Sequence, residues 1–241
     1  MSLHKDKTKS MYITRQKRQK MKSPFPPLRL QNQSVEEVDS TKVLGVIIDK
    51  DLSWSDQTKS LVNRLKQKVN QLSKIKHFLD EHSRKLFFYA HIQSLINYAS
   101  TTWDNTSETN MKFINRLYKR ALKLILLKST SLTLSDYKYL NILPLKFRLA
   151  YNKYMHMFNI VHGNTPAKLK SMFTVNEIRH NNNLSFPRPT NNLFKTSLLY
   201  SGSTLWNNLP KSLKTINSKY MFKNQLKLEL FSNFESQKSF P

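Results

Sequence analysis

Apolar residues recur at near-heptad spacing through residues 56–79, and this pattern limits the fold more than any other feature of the chain. The residues that form it are Leu61, Leu65, Val69, Leu72 and Leu79. Such spacing places the apolar side chains along one face of an α-helix, which must be buried against another element. From Lys59 to Lys76 the remaining surface carries six basic residues and no acidic one. The pattern therefore predicts a long helix with one apolar face and a basic remainder.

Further helices are predicted along most of the rest of the chain. Residues 83–99 are apolar around most of a helical circumference, as a central buried helix would be. Residues 108–128 also carry an apolar stripe at helical spacing. Gly163 and Pro166 end a helix predicted over residues 145–161. Other helices are predicted over residues 135–141, 198–207 and 216–231, and a polar loop over residues 174–197.

The first fifty residues are predicted to form a small β-structure. Residues 8–14, 28–31 and 42–48 are β-prone and are separated by prolines and polar residues, which is typical of an antiparallel meander. A meander this small is marginally stable alone, so it needs a partner to pack on. Ser53 or Ser55 is expected to cap the helix that follows. The predicted fold class is mainly α: a helical bundle with a small antiparallel β meander at the N-terminus.

The chain is strongly basic, with 40 Lys and Arg against 15 Asp and Glu and a formal charge of +25. This excess favours an anionic partner, because phosphate groups neutralised by Lys and Arg give affinity that does not depend on base sequence. Nucleic acid is the first partner to expect, an anionic membrane surface is the second, and solvated charge without a partner is the third. No apolar run reaches the roughly 18 residues of a membrane span, so none is expected.

The cysteine content and the N-terminus limit the chemistry and the compartment. The chain has no cysteine, which excludes disulfides, cysteine-based zinc sites and thiol nucleophiles. The basic N-terminus has no apolar segment after it, so a secretory signal is not expected. The Lys and Arg residues within 5–22 are similar to a nuclear-localisation run, although solvated basic arms share this composition. The expected location is the nucleus or the cytoplasm.

Four basic residues of the predicted helix 108–128 share one face, because they are separated by steps of four, three and four residues. They are Lys112, Arg116, Lys119 and Lys123. Like charges at this spacing repel each other by about 0.2–0.5 kcal/mol per pair. A phosphate backbone lying along the face would remove that penalty, so we interpret these residues as nucleic-acid contacts, with a solvated face as the alternative. Lys66 and Lys68 of the first long helix are predicted contacts of the same kind.

The sequence contains no recognisable catalytic or metal-binding constellation. The three glycines lie far apart, which excludes a glycine-rich phosphate loop, and the seven His show no ligand spacing. Asp49 and Asp51 form a close acidic pair of the kind that two-metal sites use. Both belong to one turn before a helix, however, where carboxylates commonly form turns and stabilise the helix N-terminus. We therefore predict no catalytic residue and no metal ligand in this chain.

Five blocks of sequence carry a family resemblance. They are residues 3–11 around Lys7-Thr8-Lys9; residues 43–49; residues 89–99 with Trp103 and Asp104; residues 116–125 with 143–145, Arg148 and 158–166; and residues 187–189 with 200–210, Phe222 and Lys223. In this order and spacing the blocks resemble the carboxy-terminal part of reverse transcriptases from non-LTR (LINE-class, jockey-like) retrotransposons. All three glycines fall inside blocks, as expected of backbone positions that other residues fit poorly.

The resemblance implies three regions. They are a remnant of the palm β-meander over residues 1–52, thumb-like basic helices over 53–128, and a helical carboxy-terminal region over 129–241. Lys7 or Lys9 would hold the position of the family's lysine beside the incoming nucleotide. In the family, the palm carboxylates that bind two divalent ions such as Mg²⁺ lie upstream of the first block, and no aromatic-Ala-Asp-Asp hairpin occurs in this sequence. The intact family copies RNA into DNA. This chain alone is expected to have neither polymerase activity nor a cofactor.

The expected residual role is to bind an RNA or RNA–DNA duplex along its backbone, by shape more than by sequence. The palm and fingers of a parent polyprotein are a second candidate partner. One alternative is a stand-alone RNA- or chromatin-binding protein derived from such an element. Two others are a peripheral membrane protein, which the broken apolar faces of the predicted helices disfavour, and the product of a decayed reading frame that lacks its palm partner.

Overall fold

The helices of the computed structural model follow the apolar stripes of the sequence, so the fold is mainly α, as predicted. The structure describes residues 8–13, 26–30, 33–176, 183–185, 188–189 and 191–236. Its helices are α1 (Ser55–Ile75), α2 (Glu81–Phe87), α3 (Ser94–Asn97), α4 (Ser100–Trp103), α5 (Glu108–Ile125), α6 (Leu134–Leu140), α7 (Leu145–Val161), α8 (Ala167–Lys170), α9 (Asn192–Thr196), α10 (Ser203–Asn207), α11 (Lys211–Lys214) and α12 (Lys219–Glu235). A π-helical turn over Phe88–Gln93 joins α2 to α3, and another over Leu198–Gly202 precedes α10.

Short strand pairs lie mainly at the N-terminal end of the chain. The strands are β1 (Lys9–Ser10), β2 (Arg29–Leu30), β3 (Gln33–Ser34), β4 (Glu36–Glu37), β5 (Ser40–Val43), β6 (Val46–Asp49), β7 (Thr174–Asn176) and β8 (Asn183–Ser185). β2–β3, β5–β6 and β7–β8 are antiparallel, whereas β1 and β4 pair in parallel. Among the described residues these are four separate two-stranded ladders, not one continuous sheet.

The β-prone run 42–48 forms a hairpin, so the prediction of a single strand of a meander there was wrong. Leu44 and Gly45 make the turn with φ angles of 47° and 83°, and Lys42 pairs with Ile47 across it. The hydroxyl of Tyr98 donates a hydrogen bond to the Leu44 carbonyl and fixes the turn to the helices. A two-residue turn is short enough that the residues around it still resemble one continuous strand. Gly45 is the residue that indicates the turn.

The hairpin passes directly into α1 through Asp49. The Asp49 carboxylate accepts hydrogen bonds from the backbone N–H groups of Ser53 and Trp54, both at 2.8 Å. The predicted role of Asp49 at the helix start is therefore confirmed. The predicted serine cap is wrong, because Trp54 occupies the N-cap position in a left-handed conformation and makes no side-chain cap.

Two apolar cores hold the helices together, and α7 contributes to both. In the first core, α1 packs along α5, with the π-helical turn and α6 against them. The second core is built around Phe158, Trp206 and Phe222, where α7 meets α10 and α12. Phe231 and Phe234 of α12 contact both cores. The two sides of α7 consequently face different parts of the molecule.

Buried Arg84 ties together the ends of the two longest helices. Its Nε donates to the Ile125 carbonyl at 2.8 Å, and its Nη1 donates to the carbonyls of Lys76 and Leu79. The Ile125 and Lys76 carbonyls lie at the C-terminal ends of α5 and α1, where the helix dipole is negative and a cation is favoured. The Leu79 carbonyl lies in the turn between α1 and α2. Arg84 thus fixes the relative position of α1 and α5.

The polar segment 174–197 contains secondary structure that the loop prediction missed. It includes β7, β8 and α9. Asn207 of α10 holds β8 by accepting from the Leu184 N–H at 2.8 Å and donating to the Leu184 carbonyl at 2.9 Å. A side-chain amide from a distant helix cannot be read from the local composition of a strand.

Candidate nucleic-acid interface

Helix α5 is divided lengthwise into a buried side and a basic side. Its buried residues, which pack in the first core, are Ile114, Leu117, Tyr118, Ala121, Leu122, Leu124 and Ile125. At about 100° of rotation per residue, five basic residues fall within about 100° of arc on the opposite side. We call them the α5 basic face: Lys112, Arg116, Lys119, Arg120 and Lys123. The face runs for about 17 Å along the helix axis.

Four of these five cations have no acidic partner among the described residues. Lys112 pairs with Glu108 at 3.0 Å, but the two side chains are 71% and 83% exposed, so water screens the pair. The Arg116 guanidinium lies 5.7 Å from the centroid of the Phe113 ring. The Lys123 Nζ donates weakly to the Ser129 carbonyl at 3.4 Å. Lys119 and Arg120 are exposed and have no ion pair with any described residue.

The structure places the four cations predicted on this helix together, and it adds Arg120. Arg120 follows Arg116 by four residues, which is the same spacing that identified the others. The spacing in the sequence could therefore have identified Arg120 as part of this face. Their contact with nucleic acid stays a prediction.

The two cations predicted on α1 do not share a face. Lys66 and Lys68 are two residues apart, which separates them by about 200° around the helix. Lys66 is exposed, whereas Lys68 is half-buried and donates to Gln71 Oε1 at 3.2 Å. A duplex lying on one side of α1 can therefore use one of them and not both.

The two N-terminal lysines lie far from α5 in the sequence. Lys7 lies outside the described residues. Lys9 belongs to β1 and pairs with Glu36 of β4 at 3.4 Å. Its proposed position beside a nucleotide rests on the family resemblance and stays a prediction.

A groove of about 690 Å³ runs beside the α5 basic face, between α5 and α7. Lys112 and Lys119 stand on its α5 side, and Lys146 stands on its α7 side. The groove also holds Asp104, whose Oδ2 lies 2.7 Å from Lys153 Nζ. Burial raises the pKa of the Asp104 carboxyl, and the neighbouring Lys153 partly offsets this rise. The groove therefore combines a cationic edge with an internal ion pair.

A carboxylate in the turn before a helix often caps that helix, but Asp104 does not cap α5. Ser107 takes that position, and its Oγ accepts from the Asn110 N–H at 3.3 Å. Asp104 precedes Ser107 by three residues and turns inward to α7 instead. The partner that explains its position, Lys153, is 49 residues away in the sequence.

Within the described ranges, no group of three or more His, Asp or Glu residues is arranged to hold a metal ion. None of the helices in the described part of the chain combines the length and the apolar character needed to cross a membrane. No family model, curated protein or solved structure matches the chain.

Proposed function

We propose that this chain binds the sugar–phosphate backbone of an RNA or RNA–DNA duplex through the α5 basic face. The observation that supports this proposal is the row of five cations along about 17 Å of one rigid helix, accompanied by a single, exposed carboxylate at Glu108. A stabilising helix face normally mixes both signs of charge. A one-signed face costs repulsion in the free protein, and bound phosphates would remove that cost.

The contacts available from this face suit a backbone better than base edges. Lys and Arg side chains on an exposed helix reach phosphate oxygens, which fix position and orientation but carry no sequence information. An A-form helix is recognised mostly through its shape and backbone. The proposed binding is therefore insensitive to base sequence and sensitive to salt.

The family resemblance extends the proposal. We infer that the chain is related to the thumb and carboxy-terminal region of a non-LTR retrotransposon reverse transcriptase. The sequence has no aromatic-Ala-Asp-Asp hairpin to hold the two divalent ions of the intact family. We therefore propose that the chain by itself grips a duplex and does not extend a primer. Nucleotide incorporation by the purified chain, in a primer-extension reaction with Mg²⁺, would overturn this part of the proposal.

Fluorescence anisotropy with a short labelled RNA–DNA hybrid tests the binding. The face variant is Arg116→Ala/Lys119→Ala/Arg120→Ala, and the matched control, Lys74→Ala/Lys168→Ala/Lys195→Ala, removes the same charge from exposed positions elsewhere. We expect the face variant to bind roughly tenfold more weakly or worse, because three phosphate contacts are lost. The control should stay close to the wild type. Equal weakening of the two variants would show that net charge, and not this face, causes the binding.

A further inference from the structure

A second cavity, of about 740 Å³, lies on the side of α7 opposite to the groove beside α5. Lys146, Ala150 and Lys153 of α7 line the groove, whereas Arg148 and Asn152 line the second cavity. Four of its lining residues are Arg or Lys: Arg148, Lys219, Lys223 and Lys227. None of the described residues that line it is Asp or Glu. The cavity is therefore cationic and separate from the α5 basic face.

Arg148 is the most informative residue of this cavity. Its Nε donates to Asn97 Oδ1 at 3.1 Å, and its guanidinium lies 4.9 Å from the centroid of the Tyr151 ring. Its two Nη groups have no hydrogen-bond partner among the described residues. A half-buried guanidinium normally has a carboxylate partner, because a desolvated charge is costly when unpaired. The unused Nη donors form the planar fork that binds phosphate oxygens in pairs.

The position of Arg148 is fixed by a chain of side-chain hydrogen bonds. Asn97 Oδ1, which accepts from Arg148, also accepts from Asn152 Nδ2 at 3.0 Å. The same Nδ2 lies 3.0 Å from Ser100 Oγ. Burial lowers the pKa of Arg148 from its ordinary value, so the surroundings favour a ligand that brings negative charge. The donor group is thus held in place before any ligand arrives.

Helix α12 supplies the other three cations. Lys219, Lys223 and Lys227 follow one another by four residues, so they stand on one face at intervals of about 6 Å. Burial, together with the charges of Arg148, Lys85 and Lys223, lowers the pKa of Lys227 to about 8. Several cations thus converge without an anion among the described residues, which is the arrangement of an anion site.

We propose that this cavity binds a terminal phosphate group, brought by a free nucleotide or by the 5′-phosphorylated end of a nucleic-acid strand. A terminal phosphate offers three acceptor oxygens and close to two negative charges, which matches the Arg148 fork and the lysines of α12. A phosphodiester inside a strand offers less charge and fewer free oxygens. The cavity volume lies within the range of small-ligand sites. Tyr89, which is 37% exposed, offers an aromatic ring at the same cavity for a base to stack on.

Two binding measurements on the full chain test this proposal. Isothermal titration calorimetry with ATP, without divalent metal, measures the free-nucleotide arm. Anisotropy with one single-stranded oligonucleotide, carrying either a 5′-phosphate or a 5′-hydroxyl, measures the strand-end arm. One cavity variant is Lys223→Ala/Lys227→Ala. The other is Arg148→Lys, a substitution that keeps the positive charge and removes the pair of Nη donors. The control is Lys74→Ala/Lys168→Ala, which removes two exposed lysines elsewhere.

We expect the wild type to show at least one of two results. Either it binds ATP, or it binds the 5′-phosphate strand more tightly than the 5′-hydroxyl strand. Both cavity variants should weaken that binding at least tenfold, and the control should change it less than twofold. ATP binding identifies the nucleotide as a source, and 5′-phosphate preference identifies the strand end. The proposal is overturned if the wild type shows neither ATP binding nor a preference for the 5′-phosphate strand. It is also overturned if the control loses as much affinity as the cavity variants.

A labelling experiment on the wild type alone tests the site without depending on correct folding of the variants. Because Lys227 is deprotonated more easily than an ordinary lysine, an amine-acylating reagent should label it readily near pH 8. The bound probe should protect Lys227 from this labelling and leave exposed Lys168 labelled as before. Equal labelling of Lys227 with and without saturating probe would contradict the proposed site. Loss of duplex binding in the α5 face variant has no bearing on this result, since the two sites lie on opposite sides of α7.

Discussion

Asp104 and Lys153 form an ion pair, with 2.7 Å between Oδ2 and Nζ, that joins the turn before α5 to the middle of α7. Each side chain is 10% exposed, so water screens the pair weakly. The pair lies in the groove beside the α5 basic face and holds the helix that carries this face against α7. Lys153 also lies 3.4 Å from Ser201 Oγ, which links the pair to the segment before α10.

Removal of one partner of this pair should destabilise the protein strongly. Asp104→Ala leaves the Lys153 ammonium buried and unpaired, which typically costs about 3–5 kcal/mol. Asp104→Ala/Lys153→Met removes both charges and should recover most of that loss. Urea unfolding of the wild type and both variants measures the difference. A double variant as unstable as the single one would show that the charges are not coupled as the structure indicates.

Replacement of Arg84 should loosen the packing of α1 on α5. Arg84→Met keeps a long apolar stem and removes three hydrogen bonds to backbone carbonyls, two of them at the ends of α1 and α5. The orphaned carbonyls and the lost charge–dipole contact should lower the free energy of unfolding by about 2–4 kcal/mol. Arg64→Met, at an exposed position of α1, is the matched control and should change it by less than about 0.5 kcal/mol. Similar thermal midpoints for the two variants would rule out the bridging role of Arg84.

Lys227 should give the protein a characteristic pH dependence above neutrality. Its pKa is about 8 in the folded protein against an ordinary value of 10.5, because burial, Arg148 of α7, Lys85 of α2 and Lys223 of α12 all disfavour its charge. Between these two values the unfolded chain binds more protons at this site than the folded chain. The contribution of Lys227 to the free energy of unfolding should therefore rise as the pH increases from about 8 to 10.5.

The variant Lys227→Met isolates this contribution. It has no titrating amine at the position, so its stability should gain less than that of the wild type when pH increases from 8 to 10. Urea unfolding at several pH values gives the comparison, with Lys168→Met as an exposed control. Parallel stability curves for the wild type and Lys227→Met would show that the lysine keeps an ordinary pKa.

The sequence predicts the helices well because their apolar stripes report directly which face is buried. The predicted helix 145–161 coincides with α7, and the stripe of Leu61 to Leu72 forms the core side of α1. The glycine at position 202 signals a close approach by its presence alone, because a Cβ there would lie 2.6 Å from Met157 Sδ. The basic residues of α5 could be grouped from spacing alone for the same reason.

The features that the sequence did not reveal depend on partners far away in the chain. Asp104 pairs with Lys153, which becomes its neighbour only when the chain folds, so no local pattern around Asp104 indicates this role. The cationic cavity needs α7 and α12 side by side, although the steps of four between Lys219, Lys223 and Lys227 were visible beforehand. Lys66 and Lys68 were both predicted as contacts, but their separation by two residues turns them to different sides of the helix.

The salt dependence of duplex binding tests the central claim most directly. If the α5 basic face neutralises three to five phosphates, log Kobs should fall linearly with log salt concentration, with a slope of about −3 to −5. Arg116→Ala/Lys119→Ala/Arg120→Ala should make that slope shallower by about 2 to 3, since each lost contact removes about 0.9. The control Lys74→Ala/Lys168→Ala/Lys195→Ala should keep the wild-type slope. A wild-type slope near zero, or an unchanged slope in the face variant, would contradict the claim that this face binds the backbone.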